Sequence, residues 1–100
     1  MKTKSLTNKH IATSKKSLYQ TLAKLDTGKN IERFLEDLCS PAELQAMIDR
    51  WQVAVLLKQA MSYREISAKT GVSTTTIGRV ARVIRFSKKN GYCLAFNHLD

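Results

Sequence analysis

Thr75, Arg79 and Arg82 follow one another at i, i+4 and i+7. At about 100° per residue they fall on one side of a helix, with Gly78 beside them. A hydroxyl, two guanidinium forks and a glycine that lets another surface come close suit the base edges and phosphates of a duplex major groove. The same helix carries three successive threonines, Thr74, Thr75 and Thr76, and a mid-helix glycine. These cost up to about 0.7 and 1 kcal/mol each relative to alanine. A helix with a purely structural role has little reason to carry them. The other side of the helix is an apolar seam of Ile77, Val80 and Ile84.

Such a face needs a frame to hold it, and the preceding residues supply one. Ser62 with Glu65 three positions on forms a capping-box pattern that opens a first short helix. Gly71 can take the positive φ of a sharp turn, and Ser73 caps the second helix. Ile66, Val72, Ile77 and Val80 supply the apolar contacts between the two helices, and the small Ser67 lets them approach. The spacing predicts a helix-turn-helix over residues 62–85. An ordinary helical hairpin with a solvated polar face does not account for this turn chemistry.

Charge agrees with that frame. The chain of 100 residues carries a formal net charge of +9, unevenly spread. Residues 1–25 hold six lysines and no acid, and residues 58–89 hold eight basic residues against Glu65 alone. Residues 26–57 reverse the balance, with six acids and three bases. A basic end and a basic motif around an acidic centre make a footprint for phosphate. Other classes are disfavoured. There is no apolar run of the roughly 18 residues a membrane span needs, no secretory leader pattern, no GxGxxG, no phosphate loop and no nucleophile elbow. Cys39 and Cys93 lack metal-ligand or CxxC spacing and are expected as buried free thiols in a reducing cytoplasm. His10 and His98 have no acidic or thiol partner at ligand spacing. No metal, no cofactor and no enzymatic activity are expected.

Along the chain, helices follow one another. Residues 1–13 are expected as a flexible basic arm, and residues 14–100 as a single helical domain. From Ser14, Leu18, Leu22 and Leu25 recur at helical spacing up to Gly28, and Asn30 is the candidate cap of a second helix carrying Ile31, Phe34, Leu35 and Leu38. Ser40-Pro41-Ala42-Glu43 is the clearest helix start, with serine as cap, proline first and glutamate third. The helix it opens is predicted over 41–60, with an apolar stripe of Leu44, Met47, Ile48, Trp51, Val55 and Leu56. Val53, Ala54 and Leu57 widen the stripe beyond one face. A helix apolar over so much of its circumference is covered on several sides, in a small chain by a second subunit. Tyr92, Ala95, Phe96 and Leu99 suggest a short closing helix. No stretch alternates with period two. The fold class is all-α.

The stretch LCSPAELQAMIDRWQVAVLLKQAMSYREISAKTGVSTTTIGRV, from Leu38 to Val80, resembles the Trp repressor superfamily, and more specifically its YerC/YecD-type branch. The likeness extends from Ile31 to the closing NGYCLAFNHL. It implies a six-helix protomer, an intertwined homodimer and operator binding by one helix-turn-helix per half-site. It also implies that Arg64 and Ser67 approach the DNA backbone, and that Thr74, Thr75, Thr76 and Gly78 at the start of the second helix meet the bases. Lys69, Ser73, Arg79 and Arg82 complete the expected set of DNA-binding residues. In tryptophan-sensing members the amino acid sits between the central and recognition helices, beside arginines that Arg50 and Arg79 match. The glycine that makes room for its indole is here Val80. By that departure L-tryptophan is not expected as an effector.

The combined expectation is a dimeric, cytoplasmic, nucleoid-associated bacterial regulator that acts on double-stranded DNA as a repressor, with no membrane association. Two alternatives use the same features. One is a DNA-binding module of a recombination or phage system. The other is an interaction protein whose basic face meets an acidic partner. RNA is disfavoured, because regularly spaced stacking aromatics are missing.

Overall fold

A computed structural model describes residues 7–99, which form six helices and no strand. The chain divides into two compact units, residues 1–40 and 41–100.

The first unit holds α1 (Asn8–Lys24) and α2 (Gly28–Leu38). Helix α1 starts earlier than the sequence pattern suggested. Thr7 is extended, and its hydroxyl accepts the His10 amide at 3.1 Å, so a threonine cap opens the helix within the segment expected to be an arm. Ile11, one i+7 step before Leu18, thereby joins the leucine stripe. Lys2 and Lys4 lie outside the described residues. Thr27, not Asn30, caps α2. Its side chain accepts the Asn30 amide at 3.1 Å, which puts Asn30 inside the first turn. Gly28 begins this helix rather than ending the one before. Neither helix has a buried residue.

The second unit holds α3 (Pro41–Lys58), α4 (Tyr63–Thr70), α5 (Thr74–Phe86) and α6 (Gly91–Phe96). Helix α3 ends at Lys58, two residues short of the expected 60, because Ala60 takes a left-handed φ of 63°. The Met61 amide then donates to the Leu56 carbonyl at 3.2 Å and the Ala60 amide to Leu57 at 2.9 Å. This is the Schellman closure, with alanine where glycine is usual.

The core of the unit consists of Val53 and Ala54 from α3, Ile66 from α4, Val72 from the turn, and Ile77 and Val80 from α5. Leu56, Leu57, Met61, Ile84, Tyr92 and Phe96 pack against it. Full burial of a side chain such as Ile66 or Ile77 contributes about 1.5–3 kcal/mol. The predicted stripe on α3 therefore faces differently from expectation. The small Ala54 lets α4 and α5 approach, so two of the widening residues, Val53 and Ala54, are the buried ones and Leu57 is half-buried, whereas Met47, Ile48 and Trp51 remain exposed. The Trp51 ring meets Phe96 of α6 at a centroid distance of 5.8 Å. Both cysteines are free and half-buried rather than fully buried.

Candidate nucleic-acid interface

Local chemistry builds the α4–turn–α5 unit. The Ser62 hydroxyl accepts the Glu65 amide at 3.2 Å and donates to the Glu65 carboxylate at 2.9 Å, fixing the start of α4. Gly71 ends that helix with φ 77°, its amide donating to the Ser67 carbonyl at 2.8 Å. Thr70 accepts the Val72 amide at 3.1 Å, which ties the turn. Ser73 caps α5 through the Thr76 amide at 3.2 Å. Ile66, Val72, Ile77 and Val80 then lock the two helices by burial. Helix α5 continues to Phe86, two residues past the seam's last member Ile84.

The packing leaves the outer face of α5 open. A groove of about 590 Å³ runs along it, bringing together Thr74, Thr75, Gly78, Arg79 and Arg82 of the expected contact residues. Ser73 is exposed, but its hydroxyl serves the cap and also donates to the Thr76 hydroxyl at 3.2 Å. Thr76 is half-buried and lines a different cavity. On α4, Arg64 and Lys69 are exposed and Ser67 is half-buried; none of the three lines the groove. A side chain at Gly78 would find only Tyr63 Cε2, 4.0 Å from its Cβ, so the fold itself does not require glycine there.

The groove has members that the sequence pattern did not single out. Tyr63, Ala81, Arg85 and Phe86 complete its lining. Arg85 stands at i+7 from Gly78, so helical spacing could have found it. Tyr63 belongs to α4, and only the packing of α4 on α5 brings it there. Among the described residues no cluster of side chains could hold a metal ion, and no buried side-chain polar atom lacks a hydrogen-bond partner.

A smaller cavity of about 180 Å³ is lined by Arg50, Thr76, Arg79, Val80, Val83 and Tyr92. It unites the three residues that the resemblance associates with an effector. Val80 also belongs to the buried core.

Two capped helices crossed on a glycine turn, with a basic outer face on the second, define a helix-turn-helix protein. The Trp repressor family model matches residues 13–99, and the chain belongs to that family, one of DNA-binding regulators rather than enzymes. A curated relative, the uncharacterized protein YerC of Bacillus subtilis, is 35% identical over 69 residues, covering 69% of this chain and 66% of its own length. The match thus spans just under two thirds of that relative. A TrpR-like protein from Eubacterium eligens has a similar structure, with a TM-score of 0.81 at 32% identity over 91% of this chain and 93% of its own. A candidate Trp repressor from Staphylococcus aureus also gives 0.81, at 28% identity over 93% of each chain. Among the described residues no helix is long and apolar enough to cross a membrane.

Proposed function

We propose that this chain is a sequence-specific transcription regulator, a repressor, that inserts α5 into the major groove as a homodimer. The observation that carries the proposal is the outer face of α5. Thr75, Arg79 and Arg82 share one groove with Gly78, opposite a seam whose Ile77 and Val80 are buried. The seam fixes the helix in rotation, so the polar row is presented without reorganisation on binding. Arg64 and Lys69, exposed on α4, are the candidates for the phosphate backbone. Two copies would place their recognition helices about 34–36 Å apart, on successive turns of the duplex.

The dimeric reading is supported by apolar residues that the chain's own packing leaves uncovered. Met47, Ile48 and Trp51 on α3, Leu38 on α2 and Leu94 on α6 are exposed large apolar residues, and α1 and α2 bury nothing. A second copy is the occupant that would cover them. L-Tryptophan is not the effector of this dimer, because Val80 belongs to the core at the wall of the cavity that holds Arg50 and Arg79.

Selection of duplexes from a random pool by the purified protein tests the reading. Enrichment of one two-fold symmetric sequence is expected. Thr75→Ala and Arg82→Ala are each expected to reduce discrimination at defined positions by about 1–3 kcal/mol. Their thermal stability should barely change, since both side chains are exposed. Enrichment of no sequence would reject sequence-specific binding.

A further inference from the structure

We propose that Tyr63 and Arg85 form a clamp for one backbone phosphate of duplex DNA at the flank of the recognition helix, separate from its base-facing row. The proposal rests on the DNA-binding reading above and adds a second contact surface to it.

Helix α5 presents two rows to the same groove. Thr75, Arg79 and Arg82 form one, and Gly78, Ala81 and Arg85 (i, i+3, i+7) form the other, roughly 100° round the helix. When the first row points at base edges, the second faces sideways, toward the wall of the major groove where phosphates lie. Gly78 and Ala81 have the smallest side chains on the helix, so this second row is a hollow with Arg85 at its end. Tyr63, at the start of α4, closes the other side, its ring resting over Gly78. In helix-turn-helix docking the first helix crosses the backbone, which brings the same phosphate wall toward Tyr63.

The two polar groups are unclaimed among the described residues. Tyr63 is 44% exposed, and its hydroxyl makes no hydrogen bond among the described residues. Arg85 is exposed and has no carboxylate partner among the described residues. Its guanidinium instead lies 5.4 Å from the Phe86 ring centroid. Phe86 is itself 68% exposed. The contact modestly favours this placement of the guanidinium. A phenol donor and a guanidinium across a hollow match the acceptor oxygens of one phosphate.

Duplex titrations over a series of salt concentrations, with wild type, Tyr63→Phe and Arg85→Ala, test the clamp on the selected sequence and on random duplex. Tyr63→Phe keeps the ring on Gly78 and removes only the donor. It is expected to weaken binding about three- to tenfold on both duplexes, with the salt slope unchanged. Arg85→Ala is expected to weaken both and to reduce the slope of log K against log salt by about 0.9, the signature of one phosphate no longer neutralised. Unchanged affinity in both variants while wild type binds overturns the clamp and leaves the DNA-binding reading intact. A change in which sequence is preferred overturns it in favour of base readout. Failure of the wild type to bind any duplex overturns both. Inorganic phosphate at millimolar concentration distinguishes the source of the anion: equal melting temperatures with and without it are expected. Stabilisation of wild type that Arg85→Ala abolishes would make the hollow a free-anion site and reject the clamp.

Discussion

Gly78→Ala is expected to stabilise the protein and to weaken its hold on DNA. Gly78 sits in the interior of α5, where glycine costs about 1 kcal/mol relative to alanine through backbone entropy. The added methyl has room. Its only near neighbour outside the helix is Tyr63 Cε2 at 4.0 Å, an ordinary van der Waals contact. The full propensity gain of about 1 kcal/mol should therefore appear, which for a domain of this size is a rise of about 4–8 °C in Tm. On DNA the same methyl stands on the face that must approach the duplex. Holding the duplex off at that point costs about 1–3 kcal/mol, or roughly fivefold and more in affinity. Opposite signs from a single methyl group separate a residue kept for binding from one kept for folding. The assays are thermal denaturation by circular dichroism at fixed protein concentration and fluorescence-anisotropy titration of the selected duplex at fixed salt. A lower Tm would refute the claim that the fold tolerates a side chain at 78. A higher Tm with unchanged DNA affinity would refute the claim that Gly78 serves close approach.

Ala60→Gly should also stabilise, for the converse reason: Ala60 holds a left-handed φ of 63° that costs a non-glycine residue about 1 kcal/mol or more, and an unchanged or lower Tm would contradict that. L-Tryptophan should leave operator affinity unaltered, because forcing an indole past the packed Val80 costs about 1–3 kcal/mol; micromolar binding by calorimetry with a tenfold gain in DNA affinity would restore Arg50 and Arg79 as corepressor ligands. Removing residues 1–6, and with them Lys2 and Lys4 but not the Thr7 cap of α1, should shallow the salt dependence by about 0.9 for each phosphate these lysines neutralise, while sequence preference stays fixed; a changed preference would mean that this segment reads bases. Sedimentation at micromolar concentration should show a dimer with an interface above about 2,000 Å², and a folded monomer binding DNA at full affinity would reject it.

The parts of this structure that are legible in the sequence are those that local chemistry decides. Ser62, Gly71 and Ser73 act on backbone groups within four residues of themselves, so their cap and turn roles need no tertiary information. The seam of Ile77, Val80 and Ile84 is legible because a single helical period carries it. Illegible parts have two main causes. The threonine cap of α1 lies in a polar, lysine-rich stretch, Asn30 beside Ile31 competes with Thr27 as the cap of α2, and Ala60 gives no glycine signal for the left-handed residue that ends α3. The second cause is symmetry. Helix α3 is apolar nearly all round, so its pattern could not show that Val53 and Ala54 are buried while Met47, Ile48 and Trp51, further toward its N-terminus, are not. Tyr63 is missed for a simpler reason, since its place in the groove is a property of two helices rather than of one.

Gly78 and Ala60 together bear on how this unit balances folding against binding. One glycine stands where the backbone wants alanine, and one alanine stands where the backbone wants glycine, each costing about 1 kcal/mol. The buried core that must offset them is six side chains among the described residues, two of them no larger than valine on α3. Small domains have net stabilities of only several kcal/mol, so about 2 kcal/mol given up is a large share. The exposed Met47, Ile48, Trp51 and Leu94 are part of the remaining apolar surface from which that stability can come. Under the dimeric reading, covering them does two things at once. It stabilises the core beneath α5, and it fixes the distance between two recognition faces. Folding and DNA recognition would then draw on the same interface, and a destabilising change on α3 far from α5 should weaken operator binding most at low protein concentration.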